Sequence, residues 1–253
     1  MQKKKVTERN IAGNKKKFRK RTGILLLMML LLLTATVPVS AKSKARFTTA
    51  TRITAKVLDG LDLQKVDKVM IVAHPDDEML WGGMHLIQDD YLVVCLTNGN
   101  TRRYGTRRAK ELQAVLAKTR DKGIILNYPD YNRSGQVDDW SSYTKAIKKD
   151  LTVLLKYKKW TEVVTHNKQG EYGHKQHKKT NRLVTECFQQ VKPEGATLMY
   201  FGKYHRGTYK GKTSYTKAEI RKKANILKLY KSQAKSVKKL SHMNPYENWT
   251  VAK

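Results

Sequence analysis

The chain has little cysteine, little proline and few acidic residues for its length. Two cysteines in 253 residues exclude a disulfide scaffold and a structural zinc site of four thiolates. A sustained heptad pattern, a collagen pattern and an internal repeat are also absent. What remains is 40 % apolar and 8 % aromatic. That composition indicates a globular protein, and the length fits one large domain or two small ones.

Positive charge is in excess and unevenly placed. The chain carries 52 Lys and Arg against 21 Asp and Glu, a net charge of +31. Residues 1–41 hold ten basic residues and one Glu, and residues 202–253 hold 14 basic and two acidic residues. Such charge favours electrostatic association with anionic partners such as wall polymers or lipids. The apolar run directly after the first lysine cluster argues against a specific nucleic-acid partner.

The N-terminus predicts export. The basic stretch ends at Arg21 and is followed by ten consecutive apolar residues, 24–33. Val39 and Ala41 stand at the −3 and −1 positions of a cleavage site after Ala41. We therefore expect residues 1–41 to be a signal peptide, with an uncleaved membrane anchor as the alternative. In both cases the domain 42–253 lies outside the cytoplasm, as a secreted or cell-surface protein.

The body of the chain alternates between strand and helix patterns. Short β-branched runs predict strands over 68–73, 91–97, 124–126, 162–166 and 197–201. Helical spacing predicts helices over 82–88, 106–122 (ended by Gly123), 139–157, 174–190 and, as one long basic helix, 216–240. This order predicts an α/β fold: a Rossmann-like three-layer sandwich with a mainly parallel sheet. The cysteines, Cys95 and Cys187, are expected to be separate buried thiols.

A first cluster of polar residues follows the first predicted strand. His74, Asp76, Asp77 and Glu78 stand within five residues. His74 and Asp77 are three apart in a turn, so both can face one point and hold Zn²⁺ or a similar ion. Asp76 would then be a free carboxylate able to accept a proton. The alternative is a helix N-terminus that favours acids, which does not account for the histidine.

A second cluster, residues 166–177, leaves another strand and enters a helix. His174 and His177 share a helical face. Such a pair is a weak signal alone. Together with the first cluster it completes a site of two imidazoles and one carboxylate, with a fourth position left for water.

These segments resemble those of a known family. Residues 73–78 read AHPDDE, which is similar to the signature of the LmbE-like, or PIG-L, N-acetylglucosaminyl deacetylases, and residues 170–177 resemble that family's second histidine motif. The resemblance extends from about residue 67 to residue 233. It includes Leu96-Thr97-Asn98-Gly99, the pair Arg108 and Glu111, and residues 230–233. AHPDDE is the specific element among them.

The resemblance implies an LmbE-like fold and roles for eight residues. The metal ligands would be His74, Asp77 and His177, and Asp76 would be the general base. His174 would be a cation that stabilises the oxyanion.

Three further residues would contact the substrate. Tyr172 would polarise the acetyl carbonyl, Arg108 would hold the sugar, and Asp130 would bind a sugar hydroxyl. The expected ion is Zn²⁺, although two histidines and one aspartate also suit Fe²⁺ or another divalent ion.

Two positions depart from the family's pattern. Asn100 stands where the family often has an acid after Thr-x-Gly. The second departure lies in the later histidine motif. The usual His-Pro-Asp-His reads His174-Lys175-Gln176-His177 here. Gln176 cannot raise the pKa of His174 as an acid would. We therefore expect either that another group, such as Glu171, keeps His174 charged or that the electrophilic role of His174 is weaker.

Three functions are compatible with the sequence. The first is an exported metal-dependent hydrolase that removes the N-acetyl group from an N-acetylglucosamine-type amino sugar or glycoconjugate. The second is a basic envelope protein that binds an acidic polymer through a degenerate site. The third is a metal-dependent amidase acting on a non-sugar molecule.

Overall fold

A seven-stranded sheet organises the part of the chain that the structure describes. The structure is a computed structural model and describes residues 44–99 and 106–252. The strands are β1 (Phe47–Thr49), β2 (Lys68–Val72), β3 (Tyr91–Cys95), β4 (Lys122–Ile125), β5 (Glu162–Thr165), β6 (Thr197–Tyr200) and β7 (Thr250–Val251). Their order across the sheet is β1-β4-β3-β2-β5-β6-β7. Only the β6–β7 pairing is antiparallel among these neighbours.

Helices connect the strands and cover both faces of the sheet. They are α1 (Ala55–Asp59), α2 (Asp77–Gln88), α3 (Arg107–Thr119), α4 (Thr144–Tyr157), α5 (Lys175–Val191), α6 (Lys217–Leu227) and α7 (Ala234–Leu240). Short 3₁₀ turns, Lys231–Gln233 and Ser241–Met243, flank α7.

The two cores follow from the alternation of side chains along the strands. In β2, Val69 and Ile71 pack with α1, α4 and α5, whereas Met70 and Val72 pack with α2, α3 and α6 on the other face. Apolar residues at successive positions are what a parallel strand buried on both faces requires. The predicted α/β three-layer sandwich is confirmed.

The five predicted strands are all present, but the long C-terminal helix is wrong. The predicted helix 216–240 is two helices, α6 and α7, separated around Tyr230. Tyr230 is buried where its hydroxyl donates to the Glu78 carboxylate, and an unbroken helix would not place it there. Ala234, which begins α7, is exposed.

The prediction that Gly123 ends a helix is wrong. Helix α3 ends at Thr119, followed by Arg120 in the left-handed region with φ 70°. Gly123 lies inside β4, where a Cβ would be 2.5 Å from Leu116 Cδ1 and 2.6 Å from Phe47 Cδ2. The glycine serves close packing under α3.

Other boundaries also shift, and three short elements were not predicted. Helix α2 begins five residues before the predicted start at residue 82, and α4 begins five residues after residue 139. β1, α1 and β7 were missed.

Cys95 and Cys187 are buried free thiols, as expected. The predicted signal peptide or anchor, residues 1–41, lies outside the described residues. Among the residues that the structure describes, no helix combines the length and the hydropathy needed to cross a membrane.

Candidate metal centre

The site lies where the direction of the sheet's connections changes. β2 and β5 are neighbours at the centre, and the chain continues from β2 to β3 and β4 on one side but from β5 to β6 on the other. A crevice opens at the carboxyl ends of strands at such a point. The two polar clusters follow β2 and β5, so they meet there.

The turn after β2 brings His74 and Asp77 together. Asp77 Oδ2 accepts the backbone N–H of His74 at 2.8 Å and lies 3.1 Å from His74 Nδ1. Asp76, between them, adopts the left-handed region with φ 113°. Non-glycine residues rarely adopt that region, and here it turns the chain into α2.

Three candidate ligand atoms converge where His177 of α5 meets this turn. His74 Nδ1 is 3.2 Å from His177 Nε2, and His177 Nε2 is 3.2 Å from Asp77 Oδ1. All three side chains are buried. Ligand atoms bound to a tetrahedral zinc ion at about 2.0–2.1 Å lie about 3.3 Å apart. His74 Nδ1 and Asp77 Oδ1 each lie 3.2 Å from His177 Nε2, and the other Asp77 oxygen lies 3.1 Å from His74 Nδ1, so these spacings fit the ligands of one small cation.

Hydrogen bonds at the outer nitrogens fix which imidazole atoms face the centre. His177 Nδ1 is 2.6 Å from Glu171 Oε2, a carboxylate that can only accept. His74 Nε2 is 2.6 Å from Gln176 Oε1. Both outer nitrogens carry the hydrogen, so His74 Nδ1 and His177 Nε2 turn lone pairs inward. Two facing lone pairs beside a carboxylate need positive charge between them.

The pKa shifts of these groups reflect the same demand for positive charge. Burial alone would lower the pKa of His74, but hydrogen bonds to Asp130 and Asp77 outweigh it and raise the pKa to about 10. Burial is likewise outweighed at His177, where Asp77 raises the pKa to about 9. The pKa of Asp77 is lowered, against its burial, by the charges of His177 and His166.

Gln176 orients His74. Its amide nitrogen donates to the backbone carbonyls of Pro129 at 3.2 Å, Asp130 at 3.1 Å and Asp138 at 2.9 Å. These bonds direct the amide oxygen toward His74. The departure from the family's pattern therefore acts on His74 rather than on His174.

Glu171 orients two imidazoles, and neither is His174. Its Oε2 accepts from His177 and, at 3.0 Å, from His166 Nδ1. Burial would raise the pKa of Glu171, but the two imidazoles lower it to about 2. The expectation that Glu171 keeps His174 charged is wrong.

Two other groups of three also cluster within 4.8 Å: His74, His174 and His177, and Asp77, His166 and His177. His166 Nε2 accepts the backbone N–H of Ala73 at 3.0 Å. That bond uses the lone pair that a metal would need. This contact argues against His166 as a ligand and leaves His74 and His177 with either Asp77 or His174 as the third candidate ligand.

His174 is neutral in this arrangement. Burial, followed by the charges of His74 and His177, lowers the pKa of His174 to about 3. Its Nδ1 accepts the backbone N–H of Gln176 at 3.3 Å, which leaves the hydrogen on Nε2. The cationic state expected of His174 is not found, but a neutral N–H donor remains.

Asp76 is a buried carboxylate with a raised pKa. Burial raises its pKa to about 7, although Arg108 opposes the shift. Arg108 Nη2 is 3.4 Å from Asp76 Oδ1 and donates to the carbonyl of Pro75 at 2.6 Å. A carboxylate with a pKa near neutrality beside the cluster suits a general base.

Glu78 and Tyr230 support Asp76, which the sequence did not reveal. Glu78 Oε2 accepts the backbone N–H of Asp76 at 3.0 Å, and Glu78 Oε1 accepts from the Tyr230 hydroxyl. Ser232, two residues on, donates to Glu111 of α3, the helix that carries Arg108. The segment after α6 therefore braces the turn that holds Asp76.

Tyr172 and Asp130 complete the predicted set. The Tyr172 side chain is 46 % exposed at the rim, with its ring 5.6 Å from that of His177 and 6.2 Å from that of Trp81. Asp130 is buried, 3.5 Å from both His74 Nε2 and Arg108 Nη1. The structure brings all eight predicted residues together, while their individual roles stay predictions.

The chain is similar to known proteins along most of this domain. Residues 69–188 match a family model described as PIG-L, GlcNAc-PI de-N-acetylase. An uncharacterised protein of Acanthamoeba polyphaga mimivirus is 32 % identical over 159 residues, 57 % of this chain. The chain spans 66 %, just under two thirds, of that relative's length.

Two solved structures share the fold. N,N'-diacetylchitobiose deacetylase from Pyrococcus horikoshii has a TM-score of 0.57 at 19 % identity, covering 75 % of this chain and 85 % of that one. The zinc-inhibited form of a teicoplanin deacetylase has a TM-score of 0.50 at 16 % identity, covering 66 % of this chain and 85 % of that one. Residues 69–188 of this chain are therefore similar to the LmbE-like, or PIG-L, family, and the chain shares its fold with these two deacetylases.

Proposed function

We propose that the protein is an exported metal-dependent hydrolase that removes the N-acetyl group from an N-acetylglucosamine-type amino sugar or glycoconjugate. The observation that carries the proposal is the convergence of His74 Nδ1, Asp77 and His177 Nε2, with the outer nitrogens already engaged. The match of residues 69–188 to the PIG-L model and the fold shared with the deacetylases support the same reaction.

His74, Asp77 and His177 would hold the ion. When bound, a divalent cation supplies Lewis acidity, which polarises the acetyl carbonyl and lowers the pKa of water. Two imidazoles and a carboxylate suit Zn²⁺ and Fe²⁺ alike. The teicoplanin deacetylase described in a zinc-inhibited form makes the identity of the ion a matter for measurement.

Asp76 and His174 would supply the protein's share of the chemistry. Asp76 takes a proton from the attacking water on its carboxylate and passes it to the departing nitrogen. A pKa near 7 suits both transfers. The neutral His174 donates from Nε2–H to the oxygen that becomes negative. Tyr172, at the rim, offers its hydroxyl group as a second donor to the same oxygen.

Arg108 and Asp130 are the proposed sugar contacts. Each also supports a catalytic group, because Arg108 contacts Asp76 and Asp130 contacts His74. Substrate binding is therefore coupled to the position of the general base.

A direct test is to measure acetate release from N-acetylglucosamine-containing fragments, with and without a chelator. The proposal expects metal-dependent release. Release from non-sugar amides alone would favour the amidase. A protein that binds no metal and releases no acetate would favour the acidic-polymer binder.

Export and envelope retention form a separate part of the proposal. It depends on residues 1–41 and on the basic C-terminal region. We expect the protein in the extracellular or envelope fraction, beginning after Ala41 when the signal is cleaved. Elution from anionic wall polymers by salt tests the charge attraction, and retention unaffected by salt would contradict it.

A further inference from the structure

A groove leads away from the metal centre along the C-terminal part of the chain. Its first section is a cavity of about 620 Å³, lined among others by Tyr172, Tyr204, Arg206 and Lys239. Tyr172 also belongs to the rim of the metal centre, so the cavity adjoins the site. A second section of about 520 Å³ shares Tyr204, Gly207 and Lys239 with the first. Both volumes are typical of small-ligand sites.

Aromatic rings form the wall nearest the site. The Tyr204 ring lies 6.1 Å from that of Tyr172 and 6.3 Å from that of Trp81, both in edge contacts. Aromatic side chains offer an apolar face together with a polar edge, which suits a sugar ring.

The segment that carries Arg206 is anchored. His242 contacts the backbone carbonyl of His205 through Nε2 at 2.8 Å, and the His205 ring stacks on Tyr209 at 3.8 Å. Tyr246 donates its hydroxyl hydrogen to the carbonyl of Tyr209 at 3.0 Å. The groove is therefore defined before a ligand arrives.

The charge of the groove has one sign. Arg206 and Lys239 are exposed there, and none of the described residues lining its two sections is acidic. Between residues 203 and 246 the sequence holds 13 Lys and Arg and a single acid, Glu219. That carboxylate is engaged in the capping box of α6 with Thr216. An anionic group entering the groove meets no carboxylate among its lining residues.

Resting on the deacetylase function proposed above, we propose that the groove is a subsite for an acidic group on the part of the substrate attached to the N-acetylated sugar. The sugar ring lies against Tyr172 and Tyr204, and a carboxylate or phosphate pairs with Arg206 and Lys239. The substrate class is thus an acidic glycoconjugate rather than a neutral oligosaccharide.

The test compares acidic with neutral substrates. We would measure kcat/KM for a neutral N-acetylglucosamine disaccharide, for a disaccharide whose second sugar carries a carboxylate, and for a glycoside whose aglycone carries a phosphodiester. The variant is Arg206→Gln with Lys239→Gln. The matched control is Arg221→Gln with Lys222→Gln, which removes the same charge from a separate cavity beside α6.

The wild type should have a lower KM for an acidic substrate than for the neutral disaccharide. The groove variant should reduce the acidic-to-neutral ratio of kcat/KM about tenfold, in keeping with two solvent-exposed ion pairs, and the control should keep the ratio. Comparing the substrate that carries a carboxylate with the one that carries a phosphodiester identifies which anion is preferred. Equal kcat/KM values for acidic and neutral substrates in the wild type would overturn the proposal. So would an equally large decrease of the acidic-to-neutral ratio in the control variant.

Failure of the deacetylase function would be visible separately, as no acetate from any substrate. In that case the equilibrium binding of the acidic and neutral disaccharides tests whether the groove is a subsite. The acidic disaccharide should still bind about tenfold more tightly than the neutral one, and this difference should disappear in the groove variant. Equal binding of the two sugars would reject the subsite.

Discussion

The inner wall and the outer rim of the site are built differently. On the inner wall, His74, Asp77 and His177 are buried, and their outer atoms are held by Gln176 and Glu171. At the rim, Tyr172 is 46 % exposed and held through ring contacts. The first arrangement suits the proposed binding of one ion, whereas the second suits the proposed binding of a substrate. We therefore expect substitutions on the inner wall to affect the ion and those at the rim to affect the substrate.

Removing an inner-wall ligand should have the largest effect. His74→Ala leaves two ligand atoms, so both bound metal and acetate release should be lost. The measurement is metal content by elemental analysis together with turnover. The control is His85→Ala, an imidazole that stacks on Trp249 outside the site. Full metal content in His74→Ala would contradict the ligand set.

Asp76→Asn should separate the ion from the chemistry. The variant lacks a base but retains the three ligands, so metal content should stay near that of the wild type. Turnover should fall about 10²- to 10⁴-fold, as for other general bases. An Asp76→Asn enzyme with full turnover would remove Asp76 from its role.

The pH profile of the wild type should follow Asp76. The base acts only when deprotonated, and burial raises its pKa to about 7. The value of kcat/KM should therefore fall as the pH decreases through that region. A profile that stays flat down to pH 5 would show that another group accepts the proton.

Glu171→Gln tests the support behind the ligands. The amide keeps the shape but loses the charge that orients His166 and His177, so metal affinity should fall about 10- to 100-fold. Competition with a chelator measures the affinity. Unchanged affinity would mean that Glu171 serves the fold alone.

Tyr172→Phe should have the smallest effect. The ring remains, one hydroxyl donor is lost, and we expect about a tenfold decrease in kcat with unchanged metal affinity. A change in metal binding instead would contradict the division between wall and rim.

The same division explains what the sequence could predict. The ligands lie beside parallel strands, and the carboxyl ends of such strands meet at one edge. His74, Asp77 and one imidazole of the His174/His177 pair were therefore predictable from local patterns, and the family resemblance singled out His177 as the ligand. The roles of Gln176 and Glu171 were not, because they depend on carbonyls and imidazoles brought from other loops.

The C-terminal region shows a second limit. Its helical spacing predicted one continuous helix, but the chain breaks so that Tyr230 reaches Glu78 and Ser232 reaches Glu111. Those contacts join residues more than a hundred positions apart. Likewise, β1 and β7 are short edge strands that form by pairing with β4 and β6. Periodicity along the chain carries no signal for such pairing.

X-ray absorption of the metal-loaded protein tests the ligand set most directly. The account predicts one ion per chain with two imidazoles and oxygen ligands at about 2.0–2.1 Å. A first shell with three imidazoles would assign the ion to His74, His174 and His177 instead. A shell without imidazole would contradict the metal centre altogether.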